Sequence, residues 1–65
     1  MRSYSSKEVI EILVAQGWVH KYSRGSHNYF IHSKHEGKVT VPHPRKDIPI
    51  GTLKSISKQT GINFD

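Results

Sequence analysis

The fold is decided by residues 23–32, which read Ser-Arg-Gly-Ser-His-Asn-Tyr-Phe-Ile-His. The first four residues favour a turn, and Gly25 can adopt a positive φ without steric cost. From Asn28 onward the residues are mainly aromatic or β-branched, which is typical of a half-buried strand. His27 lies at the junction of turn and strand. We therefore expect its backbone to be held rigidly while its ring reaches solvent.

On both sides of this stretch, turn formers separate three segments of strand composition. We predict these strands over residues 18–22, 27–32 and 38–41. Polar residues 23–26 and 33–37 would form the connecting turns, and Pro42 would end the third strand because proline cannot donate to a sheet ladder. The alternation of the second strand leaves open which side faces the core. We favour Phe30 over Tyr29 as the inner anchor.

Two amphipathic segments predict a helix near each end of the chain. Ser5 and Glu8 have the spacing of a capping box, so the first helix should begin near Ser5 and be closed by Gly17. The second helix should begin near residues 47–49 and be closed by Gly61. Helical spacing predicts the inner faces Ile10, Leu13, Val14 and Ile50, Leu53, Ile56.

The order α-β-β-β-α predicts an α+β fold in which a three-stranded antiparallel sheet carries both helices on one face. The 65 residues are expected to form a single domain, 1–65. Because so short a chain has only a small core, we expect any chemistry to take place on the surface or in a shallow groove.

The charge balance favours a nucleic-acid partner. Ten Lys and Arg residues oppose five Asp and Glu residues, which gives a net charge of +5, and the pI is about 9.8. An acidic protein partner is the alternative. The chain has no cysteine, which excludes disulfides and thiol nucleophiles and fits a reducing cytosol. Neither a signal peptide nor a membrane span is apparent, so we expect a cytoplasmic protein.

Metal-independent RNA cleavage suits these residues, because the 2′-hydroxyl of the substrate can attack its own phosphate. Such a site needs a proton-transfer group, for which His27 is the first candidate, and cations for the developing negative charge. The candidate RNA-binding residues are Lys21, Arg24, Ser26, Arg45 and Lys46. Tyr22 and Tyr29 could stack on bases, although aromatic residues on a small sheet are more often part of the core.

The other histidines are weaker candidates for proton transfer or metal binding. His43 is a possible second proton-transfer group, but packing between Pro42 and Pro44 is the favoured interpretation. His27 and His32 are five residues apart in a strand and would point to opposite faces, so we expect no metal site and no other cofactor. His27 itself could merely hydrogen-bond to water on a basic surface.

Four motifs together resemble the HicA toxin family. They are Gly25-Ser26-His27-x-x-Phe30, Val39-Thr40-Val41-Pro42-His43, Gly51-Thr52-Leu53-Lys54-Ser55-Ile56 and Gln59-Thr60-Gly61-Ile62. The resemblance implies a double-stranded-RNA-binding-like fold and an mRNA interferase, an endoribonuclease in which His27 is the catalytic histidine. It also implies a HicB-type antitoxin that covers the active face, and operator DNA binding only through the antitoxin complex.

Two other functions remain open from the sequence. A small basic α-β-β-β-α domain could bind RNA by shape and phosphate contacts without cleaving it. Alternatively, the basic face could serve only to bind a protein partner.

Overall fold

Three antiparallel strands form the centre of the molecule in the computed structural model, which describes residues 2–64. The elements are α1 (Ser6–Ala15), β1 (Val19–Arg24), β2 (His27–His32), β3 (His35–Pro42) and α2 (Ile50–Thr60). The strand order is β1-β2-β3, so β2 is the central strand. The predicted α-β-β-β-α order and the α+β class are therefore confirmed.

The side chains of β2 and β3 decide which face of the sheet is covered. Phe30 is only 2% exposed and lies opposite Val39, which is buried together with Val41. The prediction that Phe30 is the inner anchor is confirmed. One core cluster joins this sheet face to both helices, so both helices pack on the same side. Its members are Tyr4, Val9, Leu13, Trp18, Phe30, Val39, Val41, Ile48, Leu53, Ile56 and Phe64.

The predicted capping box of α1 is present. The Ser5 hydroxyl accepts a hydrogen bond from the Glu8 backbone N–H (3.1 Å), and the Glu8 carboxylate accepts one from the Ser5 backbone N–H (2.9 Å). The predicted inner face is wrong at Val14, which is 56% exposed, whereas Val9 and Leu13 are fully buried. A helix turns about 100° per residue. A stripe centred on Val9 and Leu13 therefore directs Val14 toward solvent.

The predicted inner face of α2 is also wrong at one residue. Leu53 and Ile56 are buried as expected, but Ile50 is 56% exposed. Ile48 fills the core instead, in the segment before the helix, where its backbone N–H donates to the Tyr4 carbonyl oxygen (2.8 Å). Gly61 ends the helix in the left-handed conformation, with φ 77°, as predicted.

The hairpin turns are tighter than predicted. β1 does not cover residues 18–22, because Trp18 lies before it and the strand continues to Arg24. Ser23 and Arg24 pair with β2, which leaves only Gly25 and Ser26 in the turn. Likewise β3 begins at His35 rather than at residue 38. Cross-strand pairing thus extends into polar residues that amino-acid composition alone assigns to loops.

Neither helix of the described chain has the length and hydropathy of a membrane span.

Candidate nucleic-acid interface

His27 is the first residue of the central strand and lies on the open face of the sheet. It pairs with Arg24 on β1 and with Pro42 on β3. Because Phe30 points into the core and side chains alternate along a strand, His27 and Tyr29 lie on the side of β2 opposite to the core. The His27 side chain is exposed. Its ring can therefore be reached by a large substrate.

The backbone around His27 is held from both sides. Gly25 has φ 59°, which allows the two-residue turn immediately before His27. The His43 backbone N–H donates to the Ser26 carbonyl oxygen (2.7 Å), which ties the loop after β3 to this turn. The exposed imidazole is thus carried by a backbone that is paired on both sides and tied to the loop after β3.

A groove of about 480 Å³ lies between β3 and α2, and His27 forms part of its wall. From β3 the side chains of Lys38 and Thr40 line it, and the loop after β3 adds Arg45. From α2 the groove is lined by Gly51 and by the polar side chains of Thr52, Ser55 and Gln59. Cations, hydroxyl groups and an amide are the donors that most often contact phosphate oxygens. Of the described residues that line the groove, none is acidic.

The structure brings together some of the sequence-predicted binding residues. Arg24 lies directly opposite His27 and therefore shares its face, and Arg45 lines the groove. Ser26 occupies the turn, where its carbonyl oxygen accepts the bond from His43.

Two other predicted cations lie apart from the groove. Lys21 occupies a bulge in β1, between the paired residues His20 and Tyr22. Lys46 lies in a different surface recess, together with residues of the α1 N-terminus such as Lys7. Arg45 lines both the groove and this recess, whereas Lys46 lines only the recess.

A cation that the sequence analysis missed, Lys38, lies between the groove and a pair of tyrosines. Tyr22 and Tyr29 are cross-strand partners whose rings stack at 4.6 Å and 22°. The Lys38 ammonium donates to the Tyr22 hydroxyl (2.6 Å) and lies 4.7 Å from the Tyr29 ring centroid. This hydrogen bond is the main reason why the pKa of Tyr22 is below its ordinary value. Strand alternation could have identified Lys38, since Val39 marks the buried parity of β3.

His43 faces away from the groove. A hydrogen bond of 2.6 Å joins its Nδ1 to the hydroxyl of Ser6, a residue of α1 that is only 1% exposed. The same hydroxyl accepts a hydrogen bond from the Arg45 backbone N–H (2.9 Å). The His43 ring thus anchors the loop that places Arg45 through a hydrogen bond to α1, which favours a structural role over proton transfer.

The remaining histidines have local partners at other places on the sheet. His32 donates from Nε2 to the Gln16 carbonyl oxygen (3.1 Å) and accepts at Nδ1 from the Lys34 backbone N–H (3.0 Å). His20 packs against Phe30 with its ring edge-on at 5.5 Å. Between residues 2 and 64, no three His, Cys, Asp or Glu side chains cluster so that they could hold a metal ion.

A family model described as the HicA toxin of bacterial toxin–antitoxin matches residues 6–62. The matched range contains all five helices and strands of the described chain. No curated protein matched the sequence.

Proposed function

Since the chain belongs to the HicA toxin family, and is therefore a toxin of a toxin–antitoxin system with a nuclease activity, we propose that it is a metal-independent endoribonuclease. Its substrate is mRNA, and His27 is its proton-transfer group. One observation carries the assignment. An exposed imidazole on the open sheet face forms part of a groove that Lys38 and Arg45 supply with positive charge.

The reaction needs little from the protein, because the nucleophile belongs to the RNA. The His27 imidazole removes the proton from a 2′-hydroxyl, whose oxygen forms a new bond to the adjacent phosphorus. The bond from phosphorus to the 5′-oxygen breaks, which leaves a 2′,3′-cyclic phosphate and a 5′-hydroxyl. Since the groove is open to water and the His43 ring faces α1, the leaving oxygen takes its proton from solvent.

Positive charge around the phosphate lowers the barrier to this step. Negative charge grows on the non-bridging oxygens as the new bond forms, and preorganised donors stabilise it more in the transition state than in the ground state. Arg45 and Lys38, which both line the groove, fill this role. Arg24 lies opposite His27 on β1. In this proposal it contacts the next phosphate along the RNA.

The antitoxin partner follows from the same surface. We propose a HicB-type antitoxin that covers His27 and the groove with a surface of complementary, acidic character. Operator DNA would then be bound by the toxin–antitoxin complex and not by this chain alone.

Cleavage of an mRNA transcript in the presence of EDTA tests the proposal. His27→Ala should lower the rate by about 10²–10⁴-fold, the usual contribution of a positioned proton-transfer group. His35→Ala is the matched control, because His35 is exposed at the opposite end of the sheet, beside the β2–β3 turn. Induced expression should arrest growth with the parent protein but not with His27→Ala.

Two results would contradict the assignment. If His27→Ala cleaves at the parental rate in EDTA, His27 is not the proton-transfer group. If the parent protein binds the transcript and leaves it intact, the chain is an RNA-binding module without nuclease activity.

A further inference from the structure

The open face of the sheet carries an aromatic pair that the cleavage reaction does not itself require. Tyr22 and Tyr29 lie directly opposite each other on β1 and β2, and both are half-buried. Their rings are nearly parallel, with centroids 4.6 Å apart. Tyr29 has the parity of His27, opposite to that of buried Phe30, so neither helix covers the pair.

Three cations surround the pair. Lys38 holds the Tyr22 hydroxyl at 2.6 Å and lies within 5.2 Å of both ring centroids. The charges of Arg24 and Lys21 are also close enough to lower the pKa of Tyr22. An apolar ring surface bordered by cations matches a nucleotide, which has a flat base and an anionic phosphate. Because the hydrogen bond from Lys38 already fixes the arrangement, little side-chain entropy would be lost on binding.

The pair is also at the correct distance from His27. Tyr29 follows His27 by two residues on the same face of β2, which corresponds to about 7 Å along a strand. This is comparable to the separation between a phosphate and the base of the same nucleotide. Lys38 links the two places, because it contacts Tyr22 and also lines the groove with His27.

We propose that Tyr22 and Tyr29 form a stacking platform for one unpaired base beside the scissile phosphate, and that the substrate at this site is single-stranded RNA. This inference rests on the proposed RNA cleavage by His27. In a duplex, each base is already stacked on both faces and is not available to a protein ring. The platform therefore selects single strands or loops, although the resemblance to double-stranded-RNA-binding domains would suggest a duplex.

Binding measured without cleavage tests the proposal. In the His27→Ala background the RNA stays intact, and fluorescence anisotropy gives the affinity for a labelled single strand and for its fully paired duplex at the same salt concentration. We expect the single strand to bind at least about 10-fold more tightly, and Tyr29→Leu to remove about 10-fold or more of that affinity. Tyr29→Phe should restore most of the loss, because the ring is retained.

A second measurement does not require a change at either tyrosine. Single strands in which one nucleotide is abasic are scanned position by position against the His27→Ala protein. We expect one position, adjacent to the cleavage site mapped with the parent protein, at which loss of the base weakens binding about 10-fold. Circular dichroism of Tyr29→Leu shows whether the variant is folded.

Three outcomes overturn the platform. They are a duplex that binds as tightly as the single strand, an abasic scan in which no position weakens binding, and a folded Tyr29→Leu protein that keeps full affinity. Each is compatible with cleavage by His27 and so refutes the platform without refuting the proposed function. Conversely, tight and base-dependent binding by a parent protein that never cleaves would refute the nuclease alone.

Discussion

At the scale of single residues, the contact between Lys38 and Tyr22 has an electrostatic effect that can be measured directly. Lys38 donates to the Tyr22 hydroxyl, and this bond favours the phenolate, so the pKa of Tyr22 lies below its ordinary value of 10.0. Since the folded-state pKa is depressed, ionised Tyr22 adds stability above the unfolded-state pKa. That contribution is lost as the pH falls through the folded-state value.

Lys38→Met should therefore raise the pKa of Tyr22. The measurement is an alkaline titration followed by phenolate absorbance, with the Tyr22 signal identified as the difference from Tyr22→Phe. Lys58→Met is the control, since Lys58 is an exposed lysine near the end of α2. An unshifted Tyr22 titration in Lys38→Met would show that the lysine does not hold the phenol in solution, which would weaken the argument for a preorganised platform.

At the scale of elements, the start of α1 depends on a carboxylate. The pKa of Glu8 lies below its ordinary value of 4.5, first because the Ser5 backbone N–H donates to it and second because of the Arg2 guanidinium at 3.2 Å. A depressed carboxyl pKa contributes stability above the unfolded-state pKa, and this contribution is lost as the pH falls through the folded-state value. The capping box should therefore weaken in acid.

We expect Glu8→Gln to be less stable than the parent protein at neutral pH, and the difference to shrink as the pH falls below 4.5. Urea unfolding followed by circular dichroism over a series of pH values measures it. Glu11→Gln removes a charge from an exposed position of the same helix, outside the capping box, and should not reproduce the convergence. Parallel pH curves for Glu8→Gln and the parent would contradict the prediction.

The first turn of α2 places a glycine where function and stability have opposite requirements. Gly51 is helical, and a Cβ added there would meet no atom within 4 Å. Alanine is more favourable than glycine in a helix, so Gly51→Ala should raise the free energy of unfolding by about 0.5–1 kcal/mol. Gly51 also lines the groove, where an added methyl group would hinder the close approach of a phosphate.

Gly51→Ala should thus melt at a higher temperature and bind single-stranded RNA more weakly in the His27→Ala background. Lys58→Ala is the matched control, because it also introduces alanine into α2 but lies outside the groove lining. A more stable Gly51→Ala protein with unchanged RNA affinity would show that the phosphate does not approach the helix at this point.

The elements also show what the sequence can predict. Signals that depend on neighbours in the chain are reliable here: the box of Ser5 and Glu8, the left-handed Gly61, and the bounds of β2. Val14 and Ile50 were misplaced because the side of a helix that becomes buried depends on where it packs, and Ile48 takes the place assigned to Ile50.

The candidate site also divides into residues predictable from their neighbours in the chain and residues that only tertiary packing brings together. His27 and Arg24 were predicted from one turn, and the strand register places them opposite each other. Lys38 and the α2 side chains of the groove were missed, because they join His27 only through the pairing of β3 and the packing of α2. Tyr22 and Tyr29 were named as residues that could stack on bases, but their mutual stacking follows from a bulge at Lys21 that composition does not predict.

At the scale of the whole molecule, the net charge of +5 belongs to the entire surface, whereas few of the cations lie beside the candidate site. One face of the sheet carries the helices and the core, and the other carries His27, the tyrosine pair, Arg24 and Lys38. Long-range attraction of an anionic polymer depends on the total charge, whereas registered binding depends on the few cations that contact phosphates. Salt dependence separates these two contributions.

For single-stranded nucleic acid, the logarithm of the binding constant falls with the logarithm of salt concentration by about 0.7 for each neutralised phosphate. In the His27→Ala background, Lys38→Met and Arg45→Met should each reduce this slope by about 0.7, because both residues line the groove. Lys46→Met removes the same charge from the recess beside α1 and should leave the slope at its original value. Sequence position alone predicts that Lys46→Met also lowers the slope, because Lys46 adjoins Arg45 in a basic loop.

If Lys46→Met lowers the slope as much as Arg45→Met, the RNA path runs over the α1 side of the loop rather than through the groove. The assignment of Lys38 and Arg45 as the clamp on the scissile phosphate would then be wrong.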